Sequence, residues 1–256
     1  MTDVLTHRLA RYWVARWARC QDRYADYRVE RTEVICDILA SAIPAGSEPA
    51  VVLDLGCGPG DLTALLAERL PGTRVIGVDR DPFLVALGRV AYPGLEFQVA
   101  DVVGADAAEV VSRWGAPAAI VASAVLHYPP AAQLRALVGV CARALRPGGV
   151  FVDADHMPPR HPGLRDIVTA LAAESPNPSS DTWEAWWRAT RSEPAFNRLL
   201  AERDRMLAPH TGDNDLSLED RIAVLNESGL SAGPVWQRGR SVLLAGIRDG
   251  ACARIE

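Results

Sequence analysis

The sequence predicts an α/β fold: a mostly parallel sheet with helices on both faces. Two observations carry this. Between residues 50 and 155 short apolar runs alternate with longer amphipathic ones, the rhythm of repeated strand–helix–strand units. The first run, VVLDL (51–55), is continuously apolar apart from Asp54, as in a strand buried on both faces. A third observation modifies the class. GPVWQRGRSVLLAGIR (233–248) reads as two strands around a turn at Arg238-Gly239-Arg240, a hairpin that reverses the last strand.

Taken in order, residues 6–42 are predicted as one helix. Leu9, Trp13, Trp17, Cys20, Tyr24, Tyr27 and Arg31 recur there at steps of three and four, one helical face. The proline- and glycine-bearing stretch 44–49 breaks it. The alternation then runs strand 51–55, helix 61–70, strand 74–79, helix 82–91, strand 96–101, helix 105–114, strand 118–125, helix 130–145 and strand 150–155. Pro82 suits the first turn of its helix, and RPGG (146–149) is a turn. Beyond Asp155 the rhythm stops. Loops at 156–163, 174–181 and 208–215 separate helices near 164–173 and 181–206. A last helix over 216–229 has Ser217 as its N-cap and Gly229 as its stop.

The bulk composition narrows the function. The chain has 256 residues, 49% hydrophobic and 23% charged, an ordinary globular balance. Its net charge of −5 argues against a nucleic-acid groove, which needs surplus cations. Cys20, Cys36, Cys57, Cys141 and Cys252 are far apart with no CxxC pair, so neither a disulfide framework nor a zinc site is expected. No run reaches the ~18 apolar residues of a membrane helix, and the first residues lack a secretory pattern. The expectation is a cytoplasmic protein with a small-molecule substrate, no nucleic acid, no membrane and no metal; a homodimer stays open.

Three glycines at alternate positions, Gly56, Gly58 and Gly60, follow the first strand. Each is conformationally costly, so the backbone there must be bare or sharply turned. A plain strand-to-helix turn needs only one. A dinucleotide fold needs Gly-x-Gly-x-x-Gly, and Asp61 stands where its third glycine belongs. A nucleoside cofactor without a pyrophosphate is the third reading. Asp79, 19 residues after Gly60, could accept both hydrogen bonds of a ribose diol, and Asp101 one from an adenine amino group. Acids at strand ends also serve as helix N-caps or solvated loop residues. Together they outline the crevice where open α/β sheets bind ligands.

These residues resemble the class I S-adenosylmethionine-dependent methyltransferases. The resemblance rests on Asp54-Leu-Gly56-Cys-Gly58-Pro-Gly60, Val78-Asp79, Ala100-Asp101, Ser123-Ala-Val-Leu126-His127-Tyr128 and Leu145-Arg-Pro-Gly148-Gly149, spanning about residues 50–155. It implies a Rossmann-like three-layer sandwich with a mostly parallel seven-stranded sheet and a reversed C-terminal strand. It implies an N-terminal helical lid (1–44), a cofactor-binding domain (45–256) and a helical insertion over 156–215 that caps the substrate. The implied cofactor is S-adenosyl-L-methionine and the product S-adenosyl-L-homocysteine. Carried over by position, Asp54, Gly56 and Ser123, with Gly58 and Gly60 of the same loop, lie near the methionine portion. Asp79, next to Arg80, takes the ribose, Asp101 and Val102 the adenine, and Leu126 packs near the reactive methyl. Tyr24, Arg28 and Arg31 fall on one face of the first helix, where Tyr24 and one arginine would hold the methionine carboxylate through a guanidinium fork, unless the face is a solvated one of Arg–Glu pairs.

Methyl transfer from a sulfonium is an in-line displacement, and a base is needed only if the acceptor must lose a proton. The candidates at the carboxyl edge of the sheet are His127, Tyr128, Asp155 and His156. His127 could equally pack beside the cofactor without taking a proton; His210 sits in a loop, and His7 and His161 read as surface residues. Trp13 and Trp17 on the first helix, with Trp183 and Trp187 on the insertion, are the expected substrate pocket, unless they pack the two appendages together. The fourth strand ends Ser-Ala-Val-Leu rather than in the Asp/Asn-Pro-Pro-aromatic motif of amino-methylating DNA enzymes, which favours a small acceptor, possible roles in specialised metabolism included. Cyclisation or rearrangement on the same cofactor, and non-catalytic sensing of it, are the alternatives, because fold does not fix function.

Overall fold

The computed structural model describes residues 4–43, 50–104, 107–171, 181–207 and 212–250. The expected break at 44–49, His210 and Cys252 lie outside them. The N-terminal stretch forms two helices rather than one: α1 (His7–Tyr24) and α2 (Arg28–Ala42). Between them Tyr27 adopts a left-handed backbone, φ 55°. No glycine or proline marks this break; tertiary contacts to Asp26 hold it. The Asp26 N–H donates to His156 Nε2 (3.1 Å), and the Asp26 carboxylate accepts from Arg240 Nε (2.9 Å).

The alternating region follows the predicted order: β1 (Val51–Leu55), α3 (Asp61–Arg69), β2 (Arg74–Asp79), α4 (Pro82–Ala91), β3 (Glu96–Val99), α5 (Ala107–Ser112), β4 (Ala119–Ser123), α6 (Ala131–Ala144) and β5 (Val150–His156). Asp81 caps α4 by accepting from the Phe83 and Leu84 N–H groups, and Pro82 opens it. The insertion holds α7 (Pro162–Ala170), α8 (Trp183–Arg191) and α9 (Asn197–Met206). The helix expected over 181–206 is thus divided: Pro194 starts a 3-10 turn, since it cannot continue a helix through its missing N–H. Then come α10 (Leu218–Glu227), with the expected Ser217 cap completed by Asp220 as a capping box, β6 (Leu230–Arg238) and β7 (Ser241–Arg248).

The seven strands lie in the order β3-β2-β1-β4-β5-β7-β6, with β7 antiparallel to both neighbours and the other pairs parallel. This is the Rossmann-like sandwich with one reversed C-terminal strand. Alternate residues of each strand serve opposite faces. Leu53, Leu55, Ile76, Ile120 and Phe151 pack against α5, α6 and α10. Val52, Val75, Val121, Val152 and Leu243 pack against α2 and α3, so α2 is a layer of the sandwich rather than part of a lid. Outside this layer α1 rests on α4, and α8 and α9 close the same aromatic cluster. No described helix is long and apolar enough to cross a membrane.

Candidate functional site

The sheet order reverses between β1 and β4, and the crevice beyond their carboxyl ends is where such a sheet takes a ligand. β1 runs directly into the glycines. Gly56, Gly58 and Gly60 all have left-handed backbones, φ 70°, 56° and 86°. A side chain on Gly56 would overlap Val125, and one on Gly60 would overlap Phe97. At Gly58 an added Cβ would meet only the Trp17 indole, at 3.5 Å. The first and third glycines therefore close the loop against the sheet. The second lies buried beneath the Trp17 indole of α1.

Asp79 organises this loop. Its Oδ2 accepts the Gly58 N–H (2.7 Å) and its Oδ1 the Asp81 N–H (2.8 Å). Burial pushes its pKa up to about 6, against those two bonds. Each carboxylate oxygen keeps a second lone pair, so the group can still accept from a diol. Gly56 and Cys57 N–H both donate to the Val78 carbonyl, tying the loop to β2. Asp54 points elsewhere: it is buried, accepts the Thr63 hydroxyl at 2.6 Å, and is pushed up to about 7 by burial. It fixes α3 to β1. Asp101 stands two residues beyond β3, exposed, with Oδ1 accepting the Val103 N–H (3.0 Å); Val102 is half-buried and Arg80 exposed. Ser123 ends β4 half-buried, and Ala124 after it is left-handed at φ 55°, a strained conformation for a residue with a Cβ.

Several expected site residues stand elsewhere. Tyr24 closes α1, and its hydroxyl accepts the Trp183 N–H (3.1 Å), whereas Arg28 and Arg31 belong to α2; the three share no helical face because the chain turns at 25–27. Arg28 pairs with Asp22 and with Asp61 just past the glycine loop. Leu126 is buried in the main core. The tryptophans pack as core: Trp17 meets Trp183 and Trp186 at ring separations of 4.6 and 4.9 Å, and Trp13 meets Trp186 and Phe196 at 5.8 and 5.5 Å. Trp187 packs on Phe83. They join the two appendages, which is the other half of the expectation.

At the carboxyl ends of β4 and β5 a pair remains. His127 Nδ1 lies 2.9 Å from both oxygens of Asp155. Burial pulls the imidazole pKa down, but the bond and charge of Asp155, with Asp213 nearby, outweigh it and leave His127 raised. Asp155 is itself penalised by burial, yet His127, Arg221 and Arg31 hold it below the usual carboxylate range. Tyr128 lies tilted against His127, ring centres 4.0 Å apart; burial and the neighbouring acids push it up to about 12, so it is a proton donor and no base near neutrality. His156 is no base either. Its Nε2 already accepts the Asp26 N–H, and burial and Arg240 pull it down to about 4.

Behind the pair lies a residue set the motifs did not point to. Arg221 of α10 is buried, donates to Asp153 Oδ2 at 2.9 Å, and lies 3.8 Å from Asp155. Asn214 donates from Nδ2 to the Leu126 and Pro129 carbonyls, both 2.8 Å, fixing the loop that carries His127. An acid inside an apolar strand, Asp153 in VFVDAD, was the signal that a buried cation must exist.

Comparison with known proteins agrees with this geometry. Residues 52–149 match the family model described as a methyltransferase domain. The chain is 34% identical to a trans-aconitate 2-methyltransferase of Azoarcus sp. (strain BH72), over 85% of this chain and 77% of that protein. It is 36% identical to one from Methylobacterium radiotolerans, over 73% and 62%. Among solved structures, the fold is shared with S-adenosylmethionine-bound CalS10, an amino pentose methyltransferase from Micromonospora echinaspora (TM-score 0.56, 18% identity, 86% and 90% coverage). It is also shared with magnesium protoporphyrin IX methyltransferase from Synechocystis PCC 6803 with bound SAH (TM-score 0.53, 18% identity, 92% and 94%).

Proposed function

The chain belongs to the class I S-adenosylmethionine-dependent methyltransferases, and from that premise we propose that it methylates a carboxylate oxygen of a small organic acid of the trans-aconitate kind. The observation that carries the acid reading is the His127–Asp155 pair at the acceptor end of the crevice. The relatives' names supply the acid class.

The residues present fit the cofactor. The left-handed glycine loop brings backbone without side chains to the carboxyl end of β1, and Asp79 keeps acceptor capacity for a ribose diol. Gly56, Gly58, Asp79, Asp101 and Ser123 would hold it, and once bound it supplies an activated methyl group. The protein's own task is then to place the acceptor in line and exclude water. A carboxylate is already anionic near neutrality, so no proton has to leave. What helps is a fixed cation. Asp155 takes Nδ1, orients the ring and favours the imidazolium, whose Nε2–H is the donor for the acid. Tyr128 adds a second donor beside it.

A hydroxyl acceptor is the second reading, because the same pair has the geometry of a base held by a carboxylate. The two readings oppose each other in pH. An imidazolium anchor loses activity as pH rises through the raised His127 pKa; a neutral base gains it. The decisive assay incubates the protein with methyl-labelled S-adenosylmethionine and either trans-aconitate, other di- and tricarboxylic acids, or hydroxylated metabolites. A labelled methyl ester with S-adenosylhomocysteine supports the acid reading; a labelled ether replaces it. Cofactor binding without turnover on any acceptor favours rearrangement or sensing. We place the reaction in the cytoplasm, in keeping with four buried free thiols at Cys20, Cys36, Cys57 and Cys141.

A further inference from the structure

Two arginines are buried among the described residues, and they differ in one respect. Arg221 has its counter-charge in Asp153. Arg31, 1% exposed, makes no ion pair among the described residues. Its Nε has no hydrogen-bond partner, and its one bond is a long one, from Nη1 to Ser241 Oγ at 3.5 Å. A guanidinium taken out of water without an acceptor is costly, so an unfilled one marks a place for an anion.

Its position says which anion. Ser241 opens β7 directly opposite His156 of β5. Arg31 therefore reaches the carboxyl end of β5, where Asp155 holds His127, and the charges of Asp155, Asp153 and Asp26 favour its charged form without an ion-pair contact among the described residues. Arg28, one turn earlier on α2, pairs instead with Asp61 beside the glycine loop. Arg28 is thus held beside the glycine loop, and Arg31 beside the start of β7.

We propose that Arg31 is a specificity residue for a polycarboxylic acceptor: it takes one carboxylate through its guanidinium while His127 holds the carboxylate that is methylated. This rests on the acid reading above. Entry requires the turn at 25–27 to yield, and its holds are known: the Asp26 N–H on His156 and the Asp26 carboxylate on Arg240.

The test titrates trans-aconitate, and crotonate as a one-carboxylate comparison, into protein saturated with S-adenosylhomocysteine, for wild type, R31K and R31M. Losing a bidentate charged contact should weaken trans-aconitate about tenfold or more in R31M, less in R31K, and leave crotonate within about twofold. S-adenosylhomocysteine affinity should not change. Equal weakening of both acids, or of neither, overturns the proposal. Unchanged acid binding with weakened S-adenosylhomocysteine reassigns Arg31 to the cofactor's carboxylate and overturns it as well. If R31M does not fold, R31K decides by the same readings. Wild type that neither binds nor methylates any carboxylic acid defeats the acid reading itself, a separate outcome.

Discussion

Asp79, half-buried, and Asp155, buried, are carboxylates at strand ends, and their surroundings push them in opposite directions. Asp79 meets two backbone N–H groups and, among the described residues, no cation in contact, so burial wins and its pKa rises to about 6. Asp155 meets His127 and the charges of two arginines, which outweigh burial. The ionised form of Asp79 is the one that accepts from a diol. S-adenosylmethionine affinity, measured by calorimetry, should therefore rise as pH passes about 6, and D79A should weaken it by about 1–3 kcal/mol, roughly five- to 150-fold. Unchanged affinity would remove the ribose role. For His127 the sign is the reverse. Its folded pKa is raised, so the pair's contribution is complete below the unfolded value near 6.5 and disappears as pH rises through the folded value. D155N removes the charge that raises it. The alkaline fall of acid methylation should then move to lower pH, with S-adenosylmethionine affinity unaltered; an unmoved profile would mean that His127 does not set the limb.

The elements show what was readable in the chain and what was not. β1, α3, β2 and α4 lie where the pattern predicts because each boundary is local: Gly60 leads into α3, and Asp81 and Pro82 start α4. The break at 25–27 was illegible, since Ala-Asp-Tyr carries no stop signal and His156 and Arg240, far away in sequence, make it. The glycine turn and Asp79 were legible from spacing. The support of the His127–Asp155 pair was not, because Arg221 and Asn214 come from α10 and a loop, joined only by folding. Within the glycine loop the elements predict a contrast. Both G56A and G58A carry about 1–2 kcal/mol of left-handed strain. G56A adds an overlap with Val125, whereas G58A meets only Trp17 at ordinary contact distance. G58A should stay folded by thermal melting yet lose cofactor affinity, and G56A should lose much of its stability first. Equal melting temperatures for the two would refute the division of labour.

Across the whole molecule the aromatic cluster couples the appendages to the cofactor loop. Composition cannot separate a pocket lining from a core, as both are apolar and aromatic; the tryptophans turn out to be core because three distant segments meet there. Trp186 of α8 is completely buried and touches Trp13, Trp17, Phe83 and Trp187. Trp17 in turn lies against Gly58. W186A should cost about 3–5 kcal/mol through the cavity it leaves. At roughly 2–4 °C per kcal/mol for a chain of this size, the melting temperature should fall by about 6–20 °C. The more telling consequence lies at a distance. Removing Trp186 frees Trp17 to leave the loop, so S-adenosylmethionine affinity should change. W187A, on the half-buried rim, should lower stability less and leave cofactor affinity alone. If W186A melts early but binds cofactor as wild type does, α1 lies over the loop without influencing it, and the cap serves stability alone.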